Sequence, residues 1–303
     1  MVILFAILYA VWLYLLHKRI PGVMMMRVWF TLVLLISVSL CNIACRVIVL
    51  LSRQFKLFDR DTSESYCRVF KSLVFRYFFR VNIPHIHTIM MEGSLDFDCL
   101  TPGTAVCMCH TSFFDSLVFL CFCPTNFLRN GKTFLKSSLQ KLPIFGHVVK
   151  CCGHFPVYFA DEKSDSFSVQ KDKQAKVAEE VDQFLAKGGN LCFFPEGALN
   201  KTPEVLNDFR LGSFNTIVKH NFPLRYIVIY GNAEVWHPKL AGVPGYPADL
   251  YVFVGEFKYD ANTDAKTLAT NFRAEMQKKM DAILERRKKD GYKPWYQPPV
   301  KTE

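Results

Sequence analysis

Three common catalytic signatures are missing from this 303-residue chain. It has no G-x-S-x-G elbow, no G-x-x-x-x-G-K-[ST] loop and no G-x-G-x-x-G fingerprint, which removes the usual serine hydrolase, nucleoside triphosphatase and dinucleotide-binding readings. Cysteines number eleven, yet no two stand at C-x2-C spacing. The nearest approach to a ligand cluster is Cys107-x-Cys109-His110 with Cys121-x-Cys123, and these lie in apolar runs where a thiol acts as a small hydrophobe. Reduced, buried cysteines, no metal and a cytosol-facing domain are expected. Acidic residues are in short supply too, 27 against 37 Lys plus Arg, for a net charge of +10. Such a surface favours anionic partners. With hydrophobic residues at 50% and 28 phenylalanines, a phospholipid bilayer fits better than nucleic acid, whose binders interleave basic residues with exposed aromatics in one patch. No internal repeat is present.

Two long apolar runs occur, both near the N-terminus. Met1 to Leu16 carries no charge, but as a helix it is about 24 Å long, short of the roughly 30 Å hydrocarbon core. Its basic residues Lys18 and Arg19 follow the run, the reverse of a signal peptide. Val28 to Leu51 is long enough, but includes Asn42 and Arg46, and an arginine in mid-span costs about 2.5–3.5 kcal/mol on insertion scales. Lys18, Arg19 and Arg27 stand between the runs and Arg53, Lys56 and Arg60 after them, so basic flanks choose no side. That symmetry suits a helical hairpin embedded in one leaflet, turning at Pro21-Gly22; the alternative is an ordinary two-span anchor. The expected division is 1–57 membrane helices, 58–290 a catalytic domain and 291–303 a tail rich in Pro and aromatics.

Past the hairpin, Phe58 to Phe79 reads as an amphipathic helix at or near the membrane surface. From Ile86 onward strand-like and helix-like runs alternate. Strands are expected at Thr88–Met91, Thr104–Cys109, Thr133–Leu135, His154–Phe159, Leu191–Phe194, Tyr226–Tyr230 and Leu250–Val254. Helices are expected from Ser112, up to Lys150, over Lys163–Lys187 with Gly188-Gly189 as its stop, and over Thr267–Lys289. The alternation predicts an α/β fold with a mixed, largely parallel central sheet flanked by helices.

The residues best placed for chemistry are His110 and Asp115, where an apolar run hands over to a helix. Five residues apart they are about 140° out of phase on an ideal helix, so they meet only if His110 lies in the loop ahead of it. Capping by Thr111 or Ser112 would put it there, with Asp115 accepting one ring N–H and the other nitrogen left as a base. Ser112-x-x-Asp115 is equally a capping-box spacing. A second strand-then-turn landmark is Phe193-Phe194-Pro195-Glu196-Gly197, which by itself is only a strand-ending turn.

Taken in order, these landmarks make a longer pattern. H-x4-D is met as His110 to Asp115, K-x-x-L-x-x-x-P-x-x-G as Lys136, Leu139, Pro143 and Gly146, and F-P-E-G as Phe194 to Gly197. The order and intervals resemble the glycerolipid acyltransferase family, whose best-known branch is the 1-acylglycerol-3-phosphate acyltransferases, over about residues 85–260, and an N-terminal apolar helix pair is likewise typical of it. The resemblance implies transfer of a fatty acyl group from acyl-CoA or acyl carrier protein, as co-substrate, to a free hydroxyl of a lysophospholipid, foremost 1-acylglycerol-3-phosphate giving phosphatidic acid. It requires no metal, no cofactor and no covalent acyl-enzyme. In that family's terms His110 is the general base, Asp115 orients it, and Glu196 and Gly197 bind the acceptor. The helix after His110 could present backbone N–H groups to an oxyanion.

Departures fall on the acceptor side. Cys109 stands where the family has Asn, Ala198-Leu199 where it has Thr-Arg after F-P-E-G, and Tyr158 where Cys152-x-x-Phe155 should lead to Arg. Lys201, Arg210 and Lys136 are the candidate substitutes for phosphate binding. The resemblance also places the enzyme in a membrane, facing the cytosol, at the endoplasmic reticulum in a eukaryote. Its rivals are an acyltransferase for another lysophospholipid headgroup, a catalytically inactive lipid-binding relative, and a thioester or lipid hydrolase. Asn200-Lys201-Thr202 is a glycosylation sequon whose place beside the site argues against modification.

Overall fold

Seven strands pair in the order β1-β7-β6-β2-β5-β3-β4 in the computed structural model, which describes residues 1–94, 103–160 and 169–296. They are β1 (Ile86–Glu92), β2 (Ala105–Met108), β3 (Gly131–Lys136), β4 (Phe155–Val157), β5 (Asn190–Phe193), β6 (Leu224–Tyr230) and β7 (Ala248–Phe257). Only the β6/β7 pairing is antiparallel; the other five are parallel. The mixed, largely parallel sheet expected from the alternation is therefore present. Central β2 and β5 are buried at every residue, as strands with both faces covered must be, and this accounts for their unbroken apolar character.

Helices cover the sheet. α1 (Val2–His17) and α2 (Val23–Arg53) form the N-terminal hairpin, and α3 (Arg60–Leu73) runs on through a π-helical turn at Val74–Phe79 into the short α4 (Arg80–Asn82). α5 (Asp115–Phe122) and α6 (Thr125–Arg129) follow β2, a 3-10 turn (Ser137–Lys141) and α7 (Phe145–Cys151) follow β3, and α8 (Lys171–Ala186) precedes β5. α9 (Leu211–His220), the short α10 (Asn232–Val235) and α11 (Ala265–Lys289) complete the chain. α11 buries Leu268, Phe272, Met276 and Met280 in one stripe at four-residue spacing, the side that faces a core.

Several expectations shift. The residues 163–168 expected to begin α8 lie outside the described residues. α8 does stop at the glycines: Gly188 has φ +83° and its N–H reaches the Leu185 carbonyl at 2.9 Å, a left-handed cap that favours glycine. The helix α9 was not anticipated, although Phe214 and Ile217 are its buried face and Asn221, at φ 51°, its left-handed cap. The stretch Phe58–Phe79 turns a charged face inward. Glu64, Arg68 and Lys71 are buried, with Lys132 Nζ 2.7 Å from Glu64 and Arg68 donating at 2.8 Å to the carbonyls of Arg129 and Cys152. Tyr66, Phe70 and Tyr77 face outward.

The hairpin joins the same body. α2 buries Met26, Phe30, Val33, Ser37, Cys41 and Cys45, and Phe30 packs against Phe79 and Phe114 with centroids at 5.5 and 5.9 Å. Its opposite face exposes Leu32, Leu35, Ile36, Leu40, Ile43, Val47 and Leu50. α2 is long and apolar enough to cross a membrane. The left-handed residue of the turn is Arg19, at φ 54°, and it is tied to the domain. Its guanidinium donates to the His85 carbonyl at 3.0 Å and the Ala248 carbonyl at 2.7 Å, and pairs with Asp249. Arg27 likewise bonds the Val243 carbonyl at 2.8 Å and lies 4.1 Å over the Tyr246 ring.

Candidate active site

Strands β6, β2 and β5 are parallel neighbours, so the chain leaves all three at one edge of the sheet. The exits are His110 after β2, Phe194 to Gly197 after β5, and Gly231-Asn232 after β6. An open sheet of this kind offers its binding edge where such carboxyl ends converge.

His110 stands in the loop ahead of α5, as expected, with Nδ1 3.0 Å from Asp115 Oδ2. The capping is the reverse of that expected. Asp115 Oδ2 also accepts the backbone N–H groups of Thr111 at 2.7 Å and Ser112 at 2.9 Å, so Asp115 closes the loop back on itself. Ser112 Oγ instead accepts the Phe114 N–H at 3.0 Å and donates to the Trp236 carbonyl at 2.8 Å. The N–H groups of Thr111 and Ser112 are thereby spent on Asp115, and the helix start does not offer them to an oxyanion.

Asp115 is 0% exposed. Its other oxygen accepts from the side-chain amide of Asn232, which also reaches Thr111 Oγ1 at 2.8 Å. An ionised carboxylate only accepts hydrogen bonds, so the proton between it and His110 belongs to Nδ1. The neutral imidazole then carries its lone pair on Nε2. The His110 side chain is 20% exposed, and Phe194 lies flat on its ring at 4.0 Å with 12° between planes. One carboxylate and one aromatic face thus fix the ring in both orientation and tautomer.

Glu196 is 1% exposed. Oε1 accepts the His110 N–H and Oε2 the Asn207 N–H, each at 2.9 Å. Burial pushes this carboxyl above its usual range, while these two backbone bonds pull it back. Its contacts make it a brace between the His110 loop and the segment after β5. Two backbone bonds strengthen the same junction, Asn200 N–H to the His110 carbonyl at 2.6 Å and Arg210 N–H to the Pro195 carbonyl at 2.8 Å. Gly197 makes the turn at φ +70°, with its N–H on the Phe194 carbonyl at 3.1 Å.

Of the basic candidates, Lys201 and Arg210 are exposed beside this junction. Lys136 ends β3, across β5 from His110, with its ammonium 5.5 Å from the Phe159 ring centroid. Tyr158 offers its backbone N–H to Gln174 at 3.2 Å. The sequon's Asn200 is 1% exposed and engages Val205 and Thr202 through its amide, which leaves no free amide for a glycan. Phe113 is 49% exposed and meets Trp236 edge-on at 5.8 Å, so the rim near His110 is apolar. The cysteines weighed above as ligands are buried, Cys107 against Met276 and Cys109 against the Ile229 carbonyl. Among the described residues no group of three or more His, Cys, Asp or Glu is placed to hold a metal ion.

Two contributors escaped the sequence reading. Phe194 was seen only as part of a motif, and Asn232 not at all. The signal for Asn232 was a Gly-Asn pair ending an apolar strand, a third instance of the strand-then-turn pattern that marked His110 and Glu196. Gly231 takes φ +103°, and a Cβ there would come within 2.3 Å of the Asp249 carbonyl oxygen, so the turn that delivers Asn232 depends on glycine.

Comparison with known proteins bears on the fold and on the span that carries these loops. Residues 100–230 match the family model described as Acyltransferase, a span that holds the His110 loop and the Glu196 turn and ends just short of Asn232. The 1-acyl-sn-glycerophosphate (LPA) acyltransferase PlsC from Thermotoga maritima has a similar fold: TM-score 0.57 and 15% identity over 87% of this chain and 94% of that one. No curated protein matches in sequence. Residues 100–230 form an acyltransferase-family domain, set within a chain folded like PlsC.

Proposed function

We propose that this chain is a membrane-bound O-acyltransferase that moves a fatty acyl group from acyl-CoA to the free hydroxyl of a lysophospholipid, foremost 1-acylglycerol-3-phosphate. The observation that carries the reading is the His110–Asp115 pair, with Nδ1 occupied and Nε2 left to accept a proton, inside the acyltransferase span. Nε2 takes the hydroxyl proton as the acceptor oxygen attacks the thioester carbonyl carbon. The tetrahedral intermediate collapses, the carbon–sulfur bond breaks, and the thiolate leaves and recovers the proton from the imidazolium. Asp115 stabilises that imidazolium through Nδ1–H. A thioester is already activated, so a base and alignment supply most of what the reaction needs. On the acceptor side Glu196 braces the loops, Gly197 shapes the turn, and Lys201, Arg210 and Lys136 face the phosphate in place of the arginines absent at Tyr158 and Leu199.

The membrane arrangement we propose is supported by the two ends of α2. Arg27 bonds the domain at one end and Cys45 is buried against it at the other, a stretch of roughly 28 Å at helical rise. A helix held flat along a domain for most of a bilayer's thickness cannot cross that bilayer without taking the domain in. In our reading α1 and α2 lie in one leaflet, on the cytosolic side, and Arg46, exposed between Ile43 and Val47, extends to the headgroups. Single-chain acceptors then reach the apolar rim at Phe113 from lipid.

The test offers membranes a panel of lysophospholipids and glycerol 3-phosphate with labelled acyl-CoA, using wild type and His110→Ala. Label in phosphatidic acid, lost in the variant, is expected. Label in another phospholipid moves the headgroup assignment and keeps the chemistry. Free fatty acid released without acceptor makes the chain a hydrolase, and full activity in His110→Ala sinks the mechanism.

A further inference from the structure

On its outer side α8 carries charge, exposing Lys173, Lys176, Glu179 and Glu180 among others. α3 and the π-helical turn after it do the reverse. Between Thr62 and Phe79 the exposed residues are Tyr66, Phe70, Leu73 and Tyr77, and Val81 on α4 continues the row. The charged residues of that stretch are withdrawn: Glu64, Arg68 and Lys71 are buried and Arg76 is half-buried. The exposed four recur at steps of four, three and four, so they share one side of the helix. With water outside, exposing such a side while burying charge on the other would be unfavourable twice over. A contiguous apolar row of this kind belongs under a partner.

The surroundings of the row say which partner. α3 runs back beside α2: Ser52 Oγ of α2 donates to the Phe58 carbonyl at 2.9 Å in the connection, and at the far end Phe79 returns to Phe30 at 5.5 Å. Both helices turn their inner sides to the domain, so their outer sides adjoin. That of α2 exposes Leu40, Ile43, Val47 and Leu50, the connection exposes Phe55 and Leu57, and Phe58 meets Tyr66 edge-on at 5.3 Å. The apolar surface thus passes from the hairpin onto α3. Tyrosine, with its apolar ring and polar tip, suits the boundary between membrane and water. Exposed cations stand at both ends of the row, Lys56 before it and Arg80 after it, in reach of headgroup phosphates. The acids at its start are engaged, Asp59 by the Thr62 N–H and Asp61 by Lys187.

We propose that the row from Tyr66 to Val81 is a second membrane-contact surface, seated in the headgroup layer of the leaflet that holds the hairpin. At helical rise it is about 22 Å long. It lies along the bilayer and does not cross it, because its inner side is pinned to the domain: Lys132 reaches Glu64 at 2.7 Å, and Arg68 donates to the carbonyls of Arg129 and Cys152 at 2.8 Å. The buried charges of α3 therefore serve as its attachment, and the aromatics are left to meet lipid. This inference rests on the reading of α2 as lipid-facing and is independent of the acyl-transfer chemistry.

The test places photoreactive benzoylphenylalanine singly at Phe70, Tyr77, Leu40 of α2 and Ala178 of α8, all exposed, in the full chain bound to phosphatidylcholine vesicles. After irradiation, adducts are mapped by mass spectrometry. The expected result is the added mass of one phosphatidylcholine at Phe70 and Tyr77, as at Leu40, and none at Ala178. A covalent dimer through Phe70 or Tyr77 would give the row to a second copy of the chain, and no adduct there would put it in water. With lipid on Leu40, either result overturns the proposal and leaves the hairpin reading standing; no lipid at any of the three removes both. Wild type is read in parallel with a diazirine dissolved in the bilayer, which should label the segment from Tyr66 to Tyr77 and spare α8. An unlabelled segment overturns the proposal even where a variant does not fold.

Discussion

Asp115 and Asp249 each face a histidine, and they are held in opposite ways. Asp115 is fully buried and takes two backbone N–H groups from residues three and four places earlier, besides the His110 ring. Asp249 keeps 18% of its side chain exposed and pairs with Arg19 of the hairpin turn, with His87 Nδ1 3.4 Å away. The first is preorganised by its own loop, so the pair forms wherever that loop forms. The ion pair of the second with Arg19 forms only when the hairpin docks. Local scaffolding suits a group that, in the proposed reaction, holds an imidazole in one tautomer, because little reorganisation is left to the moment of reaction. Long-range pairing suits a clasp.

The widest separation between the two should come from Asp115→Ala. Removing it leaves His110 Nδ1, the Thr111 and Ser112 N–H groups and the Asn232 amide without their acceptor in a dry site. Loss of about 3–5 kcal/mol of stability is expected, with acyl transfer down by a factor of roughly 10²–10⁴ from the misaligned base. Asp249→Ala should leave turnover in detergent near wild type. Chemical denaturation and labelled-acyl assays on both variants check this, and equal losses would erase the distinction.

Phe30→Ala comes next, because it links hairpin and loop. Phe30 is fully buried against Phe114 and Phe79, and such truncations cost about 3–5 kcal/mol. The cost should appear in the unfolding of the whole domain. If instead only the hairpin loosens and the sheet melts as before, α2 is an appendage and the clasp view applies to all of it.

How much of this could be read beforehand differs between the two regions. Alternating apolar runs announced the sheet, but nothing in β1 or β7 announced that they run against the other five strands, since direction leaves no mark on an apolar run. His110 and Asp115 were legible through spacing, and the loop placement was right, yet the direction of capping was not: a carboxylate three residues after a serine can close the loop either way, and tertiary burial decided. Asn232 was invisible because its meaning depends on β6 lying beside β2. In α2 the apolar sequence looked alike all round. The structure turns Ser37, Cys41 and Cys45 inward beside Met26, Phe30 and Val33, and Leu35, Ile36, Leu40 and Ile43 outward.

Asn232→Ala sharpens the first half of the comparison, since its amide is the donor that reaches Asp115 from another strand's end. Loss of a hydrogen bond to a buried charge costs about 1.5–3 kcal/mol. If the backbone of the His110 loop suffices to hold Asp115, the fall in kcat stays within about tenfold, equivalent to roughly 1.4 kcal/mol, and the pH–rate profile keeps its shape. A moved basic limb would make Asn232 a positioning residue for the pair and not merely a structural one.

The smallest effect is expected at the clasp and is best seen by pH. Burial alone would raise the Asp249 carboxyl, but bonds from His87 and Arg19 outweigh it and hold the group below its usual range. A depressed folded pKa contributes stability that is complete above the unfolded value, near 3.9 for aspartate, and is lost as pH falls through the lower folded value. Wild type should therefore exceed Asp249→Asn by on the order of 1 kcal/mol at neutral pH, the range for a partly exposed pair, and the gap should close below about pH 4 as the carboxyl titrates. Thermal unfolding of both proteins in detergent at pH 7 and pH 3 reads the difference directly. A gap that persists unchanged at pH 3 would mean that Asp249 acts through packing, and the contrast with Asp115 would then rest on burial alone.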